Sequence, residues 1–206
     1  MAAIILKGVR LAFPDIWKPG DPPVGSVSKT PKYGASLIFA KESPAYALAL
    51  AEFSRVAQEK WGANWQAIVG AIEASKKCIR DGNKHLDKSG VPRDGFKDMM
   101  YVVARNKTRP AIVDNRFANG QPVPLTEADG RPYGGCYVNA KIEMYAMDKP
   151  GQGRSVNGTL LALQFLRHGD AFSGSPGTPD GFEDEGDEGE GFTDTTAAGE
   201  PAASLF

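Results

Sequence analysis

Three side chains in one alternating stretch carry the first chemical signal. Tyr137, Lys141 and Tyr145 stand four residues apart within Cys136 to Met147. Cys136, Val138, Ala140, Ile142, Met144 and Ala146 give that stretch one apolar face. Tyr137, Asn139, Lys141, Glu143, Tyr145 and Met147 give it a mixed one. Such alternation marks a half-buried antiparallel strand. Outward rings can stack on nucleobases at about 1–3 kcal/mol per base, while cations follow the phosphates, with no demand on base sequence. Tyr101, Arg105 and Lys107 share a parity in a second strand-like stretch, Met99 to Lys107, and Arg109 follows at its break. Trp17, Lys18 and Lys32 lie in a breaker-rich segment, Pro14 to Lys32, that ends beside Tyr33. Together these eleven residues form the candidate DNA-binding set. The bland alternative is a sheet face kept in water by tyrosines and lysines.

Charge distribution favours the nucleic-acid reading. The 206 residues hold 24 Lys and Arg against 25 Asp and Glu, a net charge of −1. Ten of the acids lie between Asp170 and Glu200, and no Lys or Arg follows Arg167. Residues 1–169 therefore keep all 24 cations against 15 acids, a net charge of +9. A basic body tethered to an acidic arm suits a polyanionic ligand and an arm that competes with it. The arm is rich in Gly, Ser, Thr, Pro and Ala and cannot bury enough apolar surface to order itself, so it is expected to be disordered.

Other chemistry finds little support. Asp81, Asp94, Asp98 and Asp114 are the available carboxylates for a metal-dependent nuclease, but no pair has a recognised metal-site spacing. Gly134-Gly135 and Gly151-x-Gly153 do not make a phosphate-binding loop leading into a helix. Cys78, Cys136, His85 and His168 lack the close pair that structural zinc sites use, and read as two buried or idle thiols and two ordinary histidines. No cofactor, metal or catalysis is expected. No run of about 18 apolar residues exists to cross a membrane, and the start, MAAIILKGVRLAF, reads as a strand rather than a secretory signal. The chain is expected in the cytoplasm.

The elements that must position these residues can be placed in outline. Ala3 to Phe13 reads as a strand with Ile5, Val9, Leu11 and Phe13 on one face and Gly8 at a bulge. Tyr33 to Ala40 is a second strand. Ser43 and Pro44 open a helix whose apolar face is Tyr46, Ala49, Leu50, Phe53, Val56 and Ala57, and Gly62 closes it. Asn64 caps a second helix with Trp65, Ile68, Val69 and Ile72. Lys76 to Lys97 is a basic loop that tracks phosphates or is simply solvated. Met99 to Lys107 and Ala111 to Asp114 are strands about the Arg109-Pro110 break, and Asn115 to Gly135 is a loop. Cys136 to Met147 and Thr159 to Arg167 are the last strands. Strands with segregated helices indicate a mainly β fold with inserted helices. An oligonucleotide/oligosaccharide-binding (OB) fold fits, an antiparallel Greek-key barrel with two helices between early strands. The expected division is a binding domain over 1–173 and an acidic tail over 174–206.

At this point the chain resembles a known family, the phage-encoded single-stranded-DNA-binding proteins with an OB-fold body and an acidic arm ending in an aromatic residue. The residues that carry it are YGGCYVNAKIEMYAMDKPGQGRSVNGTLLALQFLRHGD (Tyr133 to Asp170), YVVARNKTRPAIVD (Tyr101 to Asp114) and the tail. The resemblance implies sequence-non-specific coverage of single strands in phage DNA replication, recombination and repair, in the host cytoplasm. It implies that Glu183, Asp184, Glu185, Asp187 and Glu188 contact replication or recombination proteins and compete with DNA, with Phe206 as the anchor. The tail departs from the simplest pattern, because its densest acids lie well before Phe206 and its last six residues, PAASLF, carry no charged side chain. Three other functions stay open: a strand-annealing recombination protein and, from other classes, a metal-dependent nuclease and an assembly or structural protein with no DNA affinity. A homo-oligomer is also left open.

Overall fold

The computed structural model describes residues 2–22, 30–151 and 153–172. The strands are β1 (Ala3–Gly20), β2 (Lys32–Ala40), β3 (Ile79–Asp81), β4 (Met99–Asn106), β5 (Ala111–Ala118), β6 (Gln121–Pro124), β7 (Tyr137–Lys149) and β8 (Gly153–Arg167). Two helices, α1 (Pro44–Trp61) and α2 (Trp65–Ala71), stand between β2 and β3. The order across the sheet is β3-β4-β2-β1-β7-β8-β5-β6. A further pairing of β8 with β4 closes β1, β2, β4, β7 and β8 into a five-stranded barrel. The expected OB-like, mainly β architecture is therefore present. The closing contact, Ala104 opposite Gly158, is parallel, while the other four barrel pairings are antiparallel. Gly158 permits that closure: a Cβ there would lie 2.8 Å from the Val103 carbonyl oxygen.

β1 shows why the first stretch was only partly legible. Gly8, at φ +64°, sits in a register shift between Leu6 and Val9 against β7, as the bulge reading expected. The shift changes which parity faces inward, so Leu6 is buried before it and Val9 and Leu11 after it, as an inserted residue must. Ile5 and Phe13, expected inside, are instead 48% and 49% exposed. A second shift between Ala12 and Asp15 holds Pro14, and the strand then continues to Gly20, with Ile16 fully buried. The first part of the expected loop, Pro14 to Gly20, is thus strand. A proline is tolerated there because the bulge needs no ladder hydrogen bond from it.

α1 forms as its signals require. The Tyr46 backbone N–H donates to Ser43 Oγ at 3.1 Å, Pro44 opens the helix, and Gly62 ends it at φ +61°. Ala49, Phe53, Val56 and Ala57 are buried, but Leu50 is on the exposed side. Asn64 does not cap α2 with its side chain, because the 3-10 turn Gly62–Asn64 runs directly into that helix. Lys76 to Lys97 is not wholly loop: β3 pairs Ile79 with Val102 on β4. Nor is Asn115 to Gly135, since β5 and β6 form a hairpin about Asn119 and Gly120, both at positive φ. Asn-Gly is the dipeptide such two-residue turns favour.

Two apolar clusters result. The larger fills the barrel with Leu6, Leu11, Leu37, Val102, Val138, Ile142, Met144, Leu160 and Leu163, joined by Phe53 and Val56 of α1. The smaller lies on the opposite face of β1, β2 and β4, where Ala12, Ile38, Phe96 and Tyr101 pack with Met99, Val103 and Phe172. Among the described residues no helix is long and apolar enough to cross a membrane.

Candidate nucleic-acid interface

The outer face of β1, β2 and β4 carries a groove of about 770 Å³. Its floor carries Asp15 from β1, Lys32, Gly34 and Ser36 from β2, and Tyr101, Val103 and Arg105 from β4. Along one side run Tyr145 of β7 and Val156, Asn157 and Gly158 of β8, joined to Lys76 and Lys77 because Lys77 bridges Val156 and the Cys78 N–H donates to the Val156 carbonyl at 2.8 Å. The segment that carries Lys76 and Lys77 continues through β3, paired to β4, and brings Arg80, His85 and Arg93 to the groove. Phe13 stands at the groove with its backbone at φ +48°. A bulky residue in that region is strained, and the surrounding ladder must hold it.

The cations outnumber the acids. Lys32, Lys76, Lys77, Arg80, Arg93 and Arg105 face one carboxylate, Asp15. Burial raises the Asp15 carboxyl above its ordinary range; Arg105 opposes that and nearby Asp21 adds to it. Arg80 is partly committed to structure, since its guanidinium donates to the carbonyls of Lys77 and Ser75 at 2.8 and 2.6 Å. Lys76 is paired with exposed Glu73 at 3.7 Å, a contact of small worth in water.

An aromatic cluster stiffens one end. Phe96 packs edge-on to Tyr101 at 5.0 Å, His85 lies 4.7 Å from Phe96, and Phe13 stacks on Phe96 at 5.8 Å. Arg93 lies over the Phe13 ring at 5.5 Å. Burial lowers the His85 pKa, and the positive charges of Arg93 and Arg80 lower it further. Its Nε2 is buried with no hydrogen-bond partner among the described residues. At the other end, burial raises the Tyr145 phenol, with Cys78 beside it. Both thiols are buried, Cys78 pushed up to about 12 and Cys136 to about 11.

The structure gathers four of the eleven sequence-chosen residues here: Lys32, Tyr101, Arg105 and Tyr145. Tyr101, expected on an open face, is only 4% exposed, because the segment carrying His85 and Phe96 folds over it. Tyr137 is not in this groove. It borders a separate hollow with Ile5, Lys7, Arg10 and Leu48, and the Arg167 guanidinium lies 3.5 Å above its ring. Lys141 is exposed between the two hollows, opposite Ile5 and Ala162. The single stripe therefore divides, since Tyr137 and Tyr145 are about 27 Å apart along a strand that wraps the barrel. Tyr33 lies opposite Asn106, and Lys107 follows the end of β4; both are outside the groove lining. Trp17 is covered by Arg109 at 5.0 Å, and Lys18 pairs with Glu127 at 3.4 Å. Glu183, Asp184, Glu185, Asp187, Glu188 and Phe206 lie outside the described residues.

Lys76, Lys77, Arg80 and Arg93, which line the groove, belong to the basic stretch that reads from sequence as tracking phosphates or simply solvated, and they are not among the chosen site residues; Phe13 and His85 are not singled out for DNA at all. Phe13 gave no signal, because only the bulge at Pro14 turns it out of the core. Three of the carboxylates considered for a nuclease are tied up by neighbouring amides and arginines. Asp81 accepts from the Asn83 N–H at 3.0 Å, and Asp98 accepts from the Asn83 side-chain amide at 3.3 Å. Asp114 is 2% exposed and accepts from Arg116 and Arg131 at 2.8 and 2.9 Å. Burial works against its ionised form, but those two arginines and the Asn115 N–H hold its carboxyl below the ordinary range. Among the described residues no three His, Cys, Asp or Glu side chains cluster as metal ligands.

Comparison with known proteins agrees with the fold. A putative protein, p50, of Acyrthosiphon pisum secondary endosymbiont phage 1 is 37% identical over 175 residues, covering 83% of this chain and 86% of that protein. The single-stranded DNA-binding protein of bacteriophage Enc34, solved in complex with single-stranded DNA, has a similar fold. It aligns at a TM-score of 0.61 and 22% identity, over 82% of this chain and 89% of its own. The gp2.5 single-stranded DNA-binding protein of bacteriophage T7 aligns at a TM-score of 0.51 and 13% identity, over 84% and 96%. The family model of the Enterobacter phage Enc34 single-stranded-DNA-binding protein matches residues 2–193, nearly the whole sequence. This chain belongs to the Enc34-type family of phage single-stranded-DNA-binding proteins.

Proposed function

We propose that the chain binds single-stranded DNA in the groove on β1, β2 and β4, without catalysis and with little regard to base sequence. The observation that carries this reading is the convergence of six cations and the exposed ring of Phe13 in one groove. Cations follow the phosphates while rings accept any base. OB barrels present this same face to oligonucleotides. The relative from Enc34 that shares the fold was solved with single-stranded DNA. The segment from Ser75 to Arg93 supplies a basic border, continuous with Tyr145 and Asn157 through the Lys77–Val156 bridge.

In the infected cell the protein covers exposed single strands during phage replication, recombination and repair, in the host cytoplasm. Its acidic tail competes with DNA for the groove cations through Glu183 to Glu190 and meets replication or recombination proteins through Phe206. Fluorescence titration with single-stranded and duplex oligonucleotides at two salt concentrations tests the central reading. Single strands should bind more tightly. If all six cations meet phosphates, the logarithmic salt slope should approach about −4, near −0.7 per contact. Equal affinity for duplex, or binding insensitive to salt, would overturn it.

A further inference from the structure

The last described residues, His168 to Phe172, are held against the body rather than simply leaving it. The Tyr133 hydroxyl donates to the Gly169 carbonyl at 3.0 Å, and the Phe172 N–H donates to the Gly134 carbonyl at 3.1 Å. Arg10 of β1 donates from Nε to the Gly135 carbonyl at 3.0 Å and from Nη2 to the Asp170 carbonyl at 2.8 Å. The same guanidinium lies 4.2 Å from the centre of the Phe172 ring. Two glycines make room for this strap. A Cβ on Gly135 would run into the Asp170 carbonyl oxygen, and one on Gly95 would run into the Phe172 ring. Phe172 thus packs on the cluster of Ala12, Ile38, Phe96 and Tyr101. Phe96 in turn supports the rings of Phe13 and His85 that border the groove.

We propose that Phe172 is a positioning residue for single-stranded DNA binding: the root of the tail braces the Phe96 cluster and so holds the Phe13–His85 wall in place for bases to stack. The proposal rests on the groove being the DNA site. It separates two functions within the C-terminal region. The brace at Phe172 favours DNA, whereas the acids that follow compete with it. Phe172 does not line the groove, so its removal should act on ring geometry and leave the cation contacts intact.

The test compares full-length wild type, Phe172→Ala and Phe172→Leu by titration with an oligothymidylate across a salt series. NMR titration of His85 is followed in the free proteins. Phe172→Ala should weaken binding about fivefold or more, part of the worth of one stacked base, with an unchanged salt slope. The His85 pKa should rise toward its ordinary value as the cluster loosens beneath Arg80 and Arg93. Phe172→Leu keeps the apolar contact and loses only the ring under Arg10. It should cost about two- to fivefold, the range of one exposed cation–π contact, and it serves where the alanine variant does not fold. Wild-type affinity in a folded variant with unchanged His85 titration overturns the brace. A fall in salt slope that accounts for the lost affinity overturns it too, since phosphate contacts would then be what Phe172 supports. A wild-type protein that ignores the oligothymidylate overturns the groove reading itself, and the brace with it.

Discussion

Phe13 carries costs that a phenylalanine in a regular strand does not. Its backbone is at φ +48° and half its surface meets water, yet Phe96, His85 and Arg93 hold its ring in one place. A fixed, exposed ring loses little entropy when a base stacks on it. Phe13→Ala should therefore weaken single-strand binding by about 1–3 kcal/mol, measured by the same titration with folding checked by thermal melting. Tyr145→Ala should fall in that range as well. Tyr137→Ala should change affinity little, because Arg167 already covers its ring in a different hollow; a loss equal to that at Tyr145 would show that DNA extends past the groove. His85 gives a pH signature. Its pKa is lowered from 6.5 by burial and by Arg93 and Arg80, so the unfolded chain takes up its proton at higher pH than the folded one. Stability is then full above pH 6.5 and declines as the pH falls through that value toward the lower folded pKa. His85→Gln should flatten the decline in melting temperature between pH 7.5 and 5.5, and an unchanged pH profile would count against it.

Elements decide how far the cations act together. β3 pairs the basic segment onto β4, and Arg80 ties the turn before it by donating to the Lys77 and Ser75 carbonyls. That fastening makes the Lys76 to Arg93 segment a wall beside the β4 floor. Lys77 and Arg93 line the groove and make no ion pair among the described residues, so the double replacement Lys77→Ala, Arg93→Ala should reduce the salt slope by about 1.4, near 0.7 for each lost phosphate contact. A salt slope equal to wild type would show that DNA phosphates do not meet this segment. The barrel's closure is equally local. Gly158→Ala puts a methyl group 2.8 Å from the Val103 carbonyl oxygen. It should cost about 1–3 kcal/mol, as overpacking does, read as a lower melting temperature.

On the scale of the whole molecule the charge division sets behaviour. The first 169 residues are at +9 and the remainder supplies ten acids and no Lys or Arg. Deleting residues 174–206, which leaves Phe172 in place, should strengthen single-strand binding, most at low salt where screening is weak. Unchanged or weaker binding would end the competition reading. Removing only Ser204 to Phe206 should leave DNA affinity near wild type, because no side-chain charge is lost. Much of this was legible from residue types alone. The alternation of Cys136 to Met147, the Ser43-Pro44 start of α1 and the bulge at Gly8 are local matters of side-chain period and backbone freedom, and so is the charge division. The site was legible only in part. Lys32, Tyr101, Arg105 and Tyr145 converge, but Tyr137 and Lys141 part from them because β7 wraps a closed barrel. Phe13 turns outward because of a bulge, and Tyr101 is covered because a distant segment folds over it. The sequence by itself determined the strand faces, the helix ends and a basic body with an acidic arm, since each follows from neighbours along the chain. Only the tertiary structure decided which of those residues share a groove, because strand register and barrel closure are set by partners far apart in sequence.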